Sequence, residues 1–342
     1  MEQQAIITVK DLRTYFYSDK RCNKVLNGVS FELYKGRTLC VVGESGCGKS
    51  VTASSIMQLL PKLSRIESGA ITYHSEKGDI RIDQLPRNGK EMRALRGRDI
   101  AMIFQDPMTA LNPVYTIGFQ IGEDLKYHTD LDKRSRRART LELLTQMGIS
   151  TPEKRIDQYP HEFSGGMRQR AMIAMAMSCS PKVLIADEPT TALDVTIQAQ
   201  IFELMEKLKR EHDTAIMLIT HDMGVVSELA DDVAVMYMGS IVERGSVREV
   251  LKYPAHPYTA ALLRSIPSLH KGRGQRLEPI RGSTPDPYDR PKGCQFAPRC
   301  DFCCEKCRQE MPPEVPVCDG HAVRCWNAEQ VYAGHREEVE AV

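Results

Sequence analysis

The chain has 342 residues, of which 42% are hydrophobic and 27% are charged, and its 46 basic side chains nearly balance 45 acidic ones. This length is enough for one large domain with an appendage, or for two domains. The balanced charge argues against a protein that works mainly by coating nucleic acid, and the apolar content excludes a disordered chain. The apolar runs are too short for a membrane span and the first residues lack a secretory pattern, so we expect a soluble, cytosolic protein.

In chain order, short apolar runs alternate with longer segments of helical spacing, which predicts an α/β fold. We expect strands at 5–10, 29–33, 38–42, 100–104, 183–186 and 215–219, and a hairpin of 233–238 and 241–243 across Gly239. A helix is predicted from residue 50 to 60, ended by Pro61, and a charged helical region from about 115 to 178. That region contains an apolar stripe capped by Gly148, formed by Leu141, Leu143, Leu144 and Met147. Prolines and glycines multiply after about Pro267, which predicts a linker.

The segment from 43 to 50 reads GESGCGKS and satisfies the phosphate-loop pattern between a buried strand and a helix. Glycines in such a loop let backbone N–H groups turn toward phosphates, beside the positive end of the following helix. Lys49 is expected to reach the β- and γ-phosphates, and the Ser50 hydroxyl to bind Mg²⁺. The ATP-binding residues predicted here are Gly43, Ser45, Gly46, Cys47, Gly48, Lys49, Ser50 and Val51.

Polar side chains follow three of the predicted strands. Asp187 and Glu188 end the run 183–186, where the first carboxylate can hold the Mg²⁺ shell and the second can orient and deprotonate the attacking water. Gln105 follows the strand at 100–104 and could reach the metal or the water, and His221 follows 215–219 and could contact the γ-phosphate. Because parallel strands end at one edge of a sheet, we expect these groups to lie beside the phosphate loop.

Residues 163–170 read FSGGMRQR, and here the chain resembles the ATP-binding cassette (ABC) proteins. The order of the phosphate loop, Gln105, this signature, Asp187 with Glu188, the run 192–194 and His221 matches that family over roughly residues 5–265. Phe163 and Met167 replace the commoner leucine and glutamine of the signature, whose serine and glycines are intact.

The resemblance implies a RecA-like core with an antiparallel β subdomain and a helical subdomain at about 115–178, all within residues 1–265. It implies two cassettes packed head to tail, with ATP held between one phosphate loop and the opposing signature. The signature residues are Ser164, Gly165, Gly166 and Met167, and Asp194 belongs to the following D-loop. By motif position Phe16 stacks on adenine, with Tyr15 and Tyr17 as rivals.

Three further segments, 105–113, 256–263 and 285–325, resemble dipeptide and oligopeptide importers, and most of all the D-type ATP-binding subunits of dipeptide permeases. The resemblance implies ATP hydrolysis coupled to peptide uptake, at the cytoplasmic face of the inner membrane as a peripheral subunit. It also implies a different, F-type ATPase subunit as partner, two integral-membrane permease subunits and an extracytoplasmic peptide-binding protein. Nickel importers share this architecture and remain the alternative.

Seven of the eleven cysteines lie between Cys294 and Cys325, in the extension 266–342, which we expect to form a small cysteine-rich lobe. In the importers that the chain resembles, the equivalents of Cys294, Cys300, Cys307 and Cys325 bind a [4Fe–4S] cluster, whose ligand set is four thiolates. A tetrahedral zinc site and free, packed thiols are the alternatives. Cys303, Cys304 and Cys318 are left as additional cysteines.

Two other classes of cassette protein fit the sequence less well. A cassette ATPase acting on DNA or ribosomes usually carries two cassettes or a large insertion, and the extension has no sustained basic face, so no nucleic-acid partner is expected. An exporter half would carry a fused membrane domain, for which the sequence offers no apolar segment of sufficient length.

Overall fold

The computed structural model describes residues 4–18, 21–190, 193, 195–265 and 279–340, with the side chains of 337–340 excepted. The strands are β1 Ala5–Tyr17, β2 Cys22–Tyr34, β3 Thr38–Val42, β4 Ser64–Ser75, β5 Gly78–Arg81, β6 Ile100–Ile103, β7 Val183–Asp187, β8 Ala215–Ile219, β9 Asp232–Tyr237, β10 Ser240–Ser246, β11 Val315–Cys318 and β12 His321–Val323. The helices are α1 Lys49–Ile56, α2 Lys90–Leu95, α3 Pro107–Ala110, α4 Ile117–His128, α5 Lys133–Gln146, α6 Pro152–Arg155, α7 Gly165–Ala176, α8 Val195–His212, α9 Met223–Leu229, α10 Val247–Lys252, α11 Pro257–Arg264, α12 Glu305–Gln309 and α13 Ala328–Glu340.

The core is an eight-stranded sheet in the order β11-β12-β10-β9-β3-β8-β7-β6. Strands β3, β6, β7 and β8 are parallel to one another, as their continuous apolar runs predict, and β3, β7 and β8 are buried along their whole length. Their carboxyl ends therefore meet at one edge, where the loops carrying the predicted site begin.

A second, antiparallel sheet has the order β2-β1-β4-β5 and confirms the antiparallel β subdomain. Its first two strands are much longer than the predicted 5–10 and 29–33. The pairing of β1 with β2 shifts register several times, and Asp11 adopts a positive φ of 44°. Each irregularity breaks the alternation of apolar and polar residues, so the pattern alone could not reveal a continuous strand.

The helical subdomain is built from α4, α5, α6 and α7. Of the predicted stripe, Leu143, Leu144 and Met147 are buried in the core and Leu141 packs against it. Gly148 follows α5 with a φ of +66°, which is the left-handed geometry expected of a glycine after a helix end. The apolar periodicity therefore predicted both the buried face and the end of α5.

The cysteine-rich extension shares backbone pairing with the core. Strand β12 pairs with β10, placing Glu243 opposite Val323, and β11 pairs with β12 at the sheet margin. The hairpin covers what would otherwise be an exposed edge of β10, a common way to protect a sheet edge. The linker predicted after Pro267 lies outside the described residues, which exclude 266–278. Among the described helices, none combines the length and apolar character that a bilayer span requires.

Candidate active site at the edge of the parallel sheet

The phosphate loop connects buried strand β3 to helix α1. Gly43, Gly46 and Gly48 all have positive φ values, of 149°, 79° and 109°. A Cβ on Gly43 would lie 2.2 Å from the backbone oxygen of Met236, so the loop can run this close to β9 only without a side chain there. The loop conformation is thus fixed by glycine at the position that the motif requires.

Lys49 is buried in this loop, with 6% of its surface exposed. Its ammonium group donates hydrogen bonds to the carbonyl oxygens of Gly43, at 2.8 Å, and of Glu44, at 3.0 Å. The positive charge therefore lies in the middle of the loop, within reach of any phosphate that the loop binds.

Asp187 lies at the end of β7 with 4% of its surface exposed, and its buried Oδ1 atom has no hydrogen-bond partner. Burial raises the pKa of this carboxyl, while a hydrogen bond with the Ser50 side chain acts in the opposite direction. A buried carboxylate oxygen with no partner beside a serine hydroxyl is chemically suited to Mg²⁺, which takes oxygen ligands. The residues present therefore fit the predicted metal site.

Replacing Asp187 with asparagine is expected to stabilise the nucleotide-free protein near neutral pH while removing Mg²⁺-dependent hydrolysis. Because burial raises the folded-state pKa above the unfolded value, the folded protein is favoured by the protonated carboxyl, and this contribution is lost as pH rises through the folded-state pKa. The gain of Asp187→Asn should thus grow as pH rises through that interval and vanish below the ordinary range of aspartate.

Denaturant midpoints across this pH range check the prediction, with the exposed Asp289→Asn as the matched control. A variant that is less stable than the wild type near neutral pH would contradict it.

The other two predicted polar residues both contact the Glu188 carboxylate. Gln105 Nε2 donates to Glu188 Oε2 at 2.8 Å, and His221 Nδ1 lies 3.3 Å from Glu188 Oε1. The backbone of Glu188 has a left-handed φ of 46°, and its N–H donates to the carbonyl of Ile219 in β8. Non-glycine residues rarely adopt this conformation, and it turns the carboxylate away from the buried strand toward the sheet edge.

A pocket beside the phosphate loop is lined by Glu44, Ser45, Gly46 and Cys47, and by residues of β2. Asn23, one of these β2 residues, is the cross-strand partner of Phe16, which places the predicted adenine-stacking residue next to this pocket. Of its rivals, Tyr15 has the ammonium of Lys24 over its ring and Tyr17 bonds to Glu67.

The same pocket is closed by residues that the sequence did not single out. Thr284, Pro287 and Arg290 of the extension line it, and Arg290 donates to the carbonyl of Met238 at 2.6 Å. Only the proximity of this tract to the motifs in space identifies them, because nothing in their spacing marks a nucleotide site.

Glu44 of the phosphate loop is held by the C-terminal part of the chain. Arg299 donates two hydrogen bonds to its carboxylate, at 2.7 and 3.0 Å, and the Tyr258 hydroxyl accepts one from its backbone N–H at 2.8 Å. The Arg299 side chain is 4% exposed and directly precedes Cys300. The extension thus contacts the phosphate loop through a paired, largely buried charge.

The signature lies apart from this cluster. Ser164 caps α7, and its hydroxyl accepts a hydrogen bond from the N–H of Met167. Ser164 and Gly165 are exposed, and within the described residues no hydrogen bond or ion pair links them to the phosphate loop. Ala192 and Asp194 lie outside the residues that the structure describes.

The four predicted cluster cysteines line one small cavity, together with aromatic and proline side chains. Burial raises the pKa of the Cys300 and Cys325 thiols to about 12 and that of Cys307 to about 11. The pKa of Cys294 is raised for the same reason. Four thiolates could share this space only with a compensating cation.

Two family models match this chain, one in its N-terminal part and one in its C-terminal part. A family model described as "ABC transporter" matches residues 26–191, and one described as "Oligopeptide/dipeptide transporter, C-terminal region" matches residues 242–307. The second match begins in β10 and ends within the cysteine tract.

Similar proteins are found over nearly the full length. The dipeptide transport ATP-binding protein DppD of Bacillus subtilis is 48% identical over 96% of this chain and 96% of its own. The oligopeptide transport ATP-binding protein OppD of the same organism is 49% identical over 94% of this chain and 88% of its own.

Solved structures agree on the fold. The dimeric ATP-binding cassette MJ0796, bound to ADP and Pi, has a TM-score of 0.63 at 24% identity and covers 71% of this chain and 99% of its own. CbiO1 of Clostridium perfringens, part of the transporter complex cbiONQ, has a TM-score of 0.56 at 27% identity, over 73% of this chain and 91% of its own.

Proposed function

This chain belongs to the peptide-transport branch of the ABC transporter ATPases, and we propose that it is the ATP-hydrolysing subunit of an importer for dipeptides or oligopeptides. The observation that carries the catalytic assignment is the convergence of Gln105 and His221 on the Glu188 carboxylate, where three parallel strands end. Such a carboxylate, oriented from both sides, is suited to position a water molecule for attack on a phosphoryl group.

Binding of ATP is assigned to the phosphate loop and its surroundings. The loop N–H groups and Lys49 would hold the phosphates, with the ammonium turning from the carbonyls of Gly43 and Glu44 toward the β- and γ-phosphates. The pocket over residues 44–47 would receive the nucleoside, with Phe16 against adenine.

A bound Mg²⁺ would neutralise charge developing on the β- and γ-phosphates. Ser50 and Asp187 would hold the ion, with Gln105 as a further ligand. The reason is that a buried oxygen of Asp187 has no hydrogen-bond partner and that this carboxyl bonds to the Ser50 side chain. Glu188 would then accept the proton of the attacking water, and His221 would contact the γ-phosphate.

The signature residues Ser164, Gly165, Gly166 and Met167 would act on the nucleotide of a second cassette, and Asp194 would take part in the same contact. The exposure of Ser164 and Gly165 supports this division of the site between two subunits, as does the lack, within the described residues, of any hydrogen bond or ion pair from them to the phosphate loop. The second subunit is expected to be a different, F-type ATPase chain. ATP binding would close the pair, and hydrolysis with phosphate release would reopen it.

Contact with two integral-membrane permease subunits is assigned to the surface that follows Gln105. Met108, Val114, Tyr115 and Phe119 expose between 46% and 69% of their surfaces there, and the last two rings stack at 4.6 Å. A segment that exposes several large apolar side chains is suited to a protein–protein contact. The chain would thereby sit peripherally on the cytoplasmic face of the inner membrane, and an extracytoplasmic protein would deliver the peptide.

Cys294, Cys300, Cys307 and Cys325 are proposed to bind a [4Fe–4S] cluster that fastens the extension. A single tetrahedral zinc ion would bring its sulfur ligands to about 3.8 Å from one another, given Zn–S bonds near 2.3 Å. No three of these four sulfurs lie within 4.8 Å of one another, although all line the same cavity, which favours a larger group. Iron with acid-labile sulfide in anaerobically prepared protein is the expected result, and zinc alone at this site would overturn the assignment.

Peptide uptake by a strain lacking this gene tests the transport function. Labelled dipeptide should accumulate only when the wild-type gene is restored, and restoring Glu188→Gln should not rescue uptake. Unchanged peptide uptake together with loss of nickel uptake in the deletion strain would favour the nickel importer instead.

A further inference from the structure

A group of three side chains outside the ATP site and the four-cysteine cavity has the composition of a metal site. Glu249, Cys318 and His321 place one ligand atom each within 4.8 Å of one another. Within the described part of the chain, no other group of three histidine, cysteine or carboxylate side chains meets this criterion. None of the three takes part in the proposed ATPase chemistry.

The two ligands from the extension are positioned by a hairpin turn. Cys318 ends β11 and His321 begins β12, and their Cα atoms are cross-strand partners across Asp319 and Gly320. Gly320 has a φ of +75°, which a tight turn needs and which glycine adopts without strain. Cross-strand partners project side chains to the same face of a sheet, so the hairpin presents sulfur and imidazole together.

The surroundings of His321 hold its ring in place and leave one ring nitrogen available to a metal ion. It is 1% exposed, its Nε2 lies 2.7 Å from Glu243 Oε1, and its buried Nδ1 has no hydrogen-bond partner. The Glu243 carboxylate is anchored by the backbone N–H groups of Ala255 and His256 and faces Nε2 of the ring. A neutral imidazole that donates from Nε2 to this carboxylate offers the lone pair of Nδ1 to a metal ion. A carboxylate that orients an imidazole in this way is typical of metal-binding histidines.

The third ligand comes from the ATPase core. Glu249 lies on α10, which follows β10, and its Oε2 is 3.6 Å from Cys318 Sγ. Tetrahedral zinc with bonds of about 2.3 Å to sulfur and 2.0 Å to oxygen separates these two atoms by about 3.5 Å. The sulfur of Cys318 and the carboxylate oxygen of Glu249 are therefore already about as far apart as two ligands of one zinc ion.

We propose that Glu249, Cys318 and His321 bind one Zn²⁺ ion, which fastens the C-terminal hairpin to α10 of the core. A mixed set of sulfur, nitrogen and oxygen suits zinc, whereas Mg²⁺ and Ca²⁺ take oxygen ligands. The Cys318 thiol releases its proton to solvent on binding. A water molecule completes the four ligands, near the Tyr332 hydroxyl that lies 3.4 Å from Glu249 Oε2.

The competing explanation is a hydrogen-bonded group in which the Cys318 thiol donates to Glu249 and no ion binds. It leaves the buried Nδ1 of His321 without a hydrogen-bond partner, which is a cost for a buried polar atom. Zinc removes that cost by using the lone pair.

The test compares full-length wild type with Cys318→Ser and, as the matched control, Cys22→Ser at an exposed cysteine of β2. After chelation, each protein is titrated with Zn²⁺ and, separately, with Co²⁺, whose thiolate charge-transfer absorption reports cysteine ligands. All three proteins keep the four-cysteine cavity, so metal bound there cancels in the comparison. Cys318→Ser is expected to lose one equivalent of tightly bound Zn²⁺ and the corresponding share of Co²⁺–thiolate absorption, while Cys22→Ser matches wild type.

Two further variants keep the test decisive. Glu249→Gln removes a ligand charge without changing a cysteine and should lower the affinity for one equivalent of Zn²⁺ by more than about tenfold. Glu243→Gln should lower the same affinity by about 10–100-fold, because Glu243 orients His321. If Cys318→Ser does not fold, Glu249→Gln decides. Equal zinc stoichiometry and affinity in wild type and the folded ligand variants would overturn the proposal.

Discussion

The Glu188→Gln variant is expected to hydrolyse ATP about 10²–10⁴-fold more slowly than wild type, the usual contribution of a positioned general base. The amide cannot accept the proton of the attacking water, but it keeps the size of the carboxylate. Gln105 and His221 can both still bond to it, so the site should hold its shape. ATP binding should therefore persist, and the variant should accumulate in the nucleotide-bound, closed form.

The measurement is steady-state phosphate release by the assembled complex, with the second ATP site inactivated so that only this chain's site is read. Nucleotide affinity is measured in parallel. Glu203→Gln, an exposed carboxylate of α8, is the matched control and should retain full activity. Appreciable turnover by Glu188→Gln under these conditions would rule out Glu188 as the base.

The Lys49→Met variant is expected to lose both ATP binding and hydrolysis, by about 10²–10³-fold in turnover, as when a single preorganised donor is removed from a charged transition state. Methionine fills a similar volume, yet it has neither the charge nor the donors of the ammonium. The carbonyl oxygens of Gly43 and Glu44 lose their partner at the same time, so the loop itself should become less ordered.

Equilibrium binding of a fluorescent ATP analogue distinguishes this variant from Glu188→Gln, because here affinity and turnover should fall together. Lys62→Met, at an exposed lysine beyond α1, is the matched control. Wild-type affinity in Lys49→Met would mean that the loop backbone alone holds the phosphates.

Much of the ATP site was predictable because its chemistry is local. The phosphate loop needs glycines, a lysine and a serine at fixed spacing after a buried strand, and the structure places all of them there. Gln105, Glu188 and His221 are far apart in sequence, yet each follows an apolar parallel strand. Strand topology alone brings such positions to one edge, so their convergence followed from the pattern.

The choice of Phe16 over Tyr15 and Tyr17 stays a prediction, because three consecutive aromatic residues share one strand. A strand alternates its side chains between two faces, and irregular register in β1 makes the face of any one residue unpredictable from spacing. The pairing of Phe16 with Asn23, which lines the pocket, is information that only the folded sheet carries.

The sequence by itself determined the α/β class, the phosphate loop and the polar residues at the strand ends, since each depends on residue type and short spacing. The choice of four among the eleven cysteines is what the resemblance to peptide importers implies. Only the tertiary structure decided how the extension is used. It adds β11 and β12 to the core sheet, joins Arg299 to Glu44 of the phosphate loop, and brings Cys318 and His321 against Glu249. These contacts join residues 69 to 255 positions apart, and no periodic pattern records a pairing over such distances.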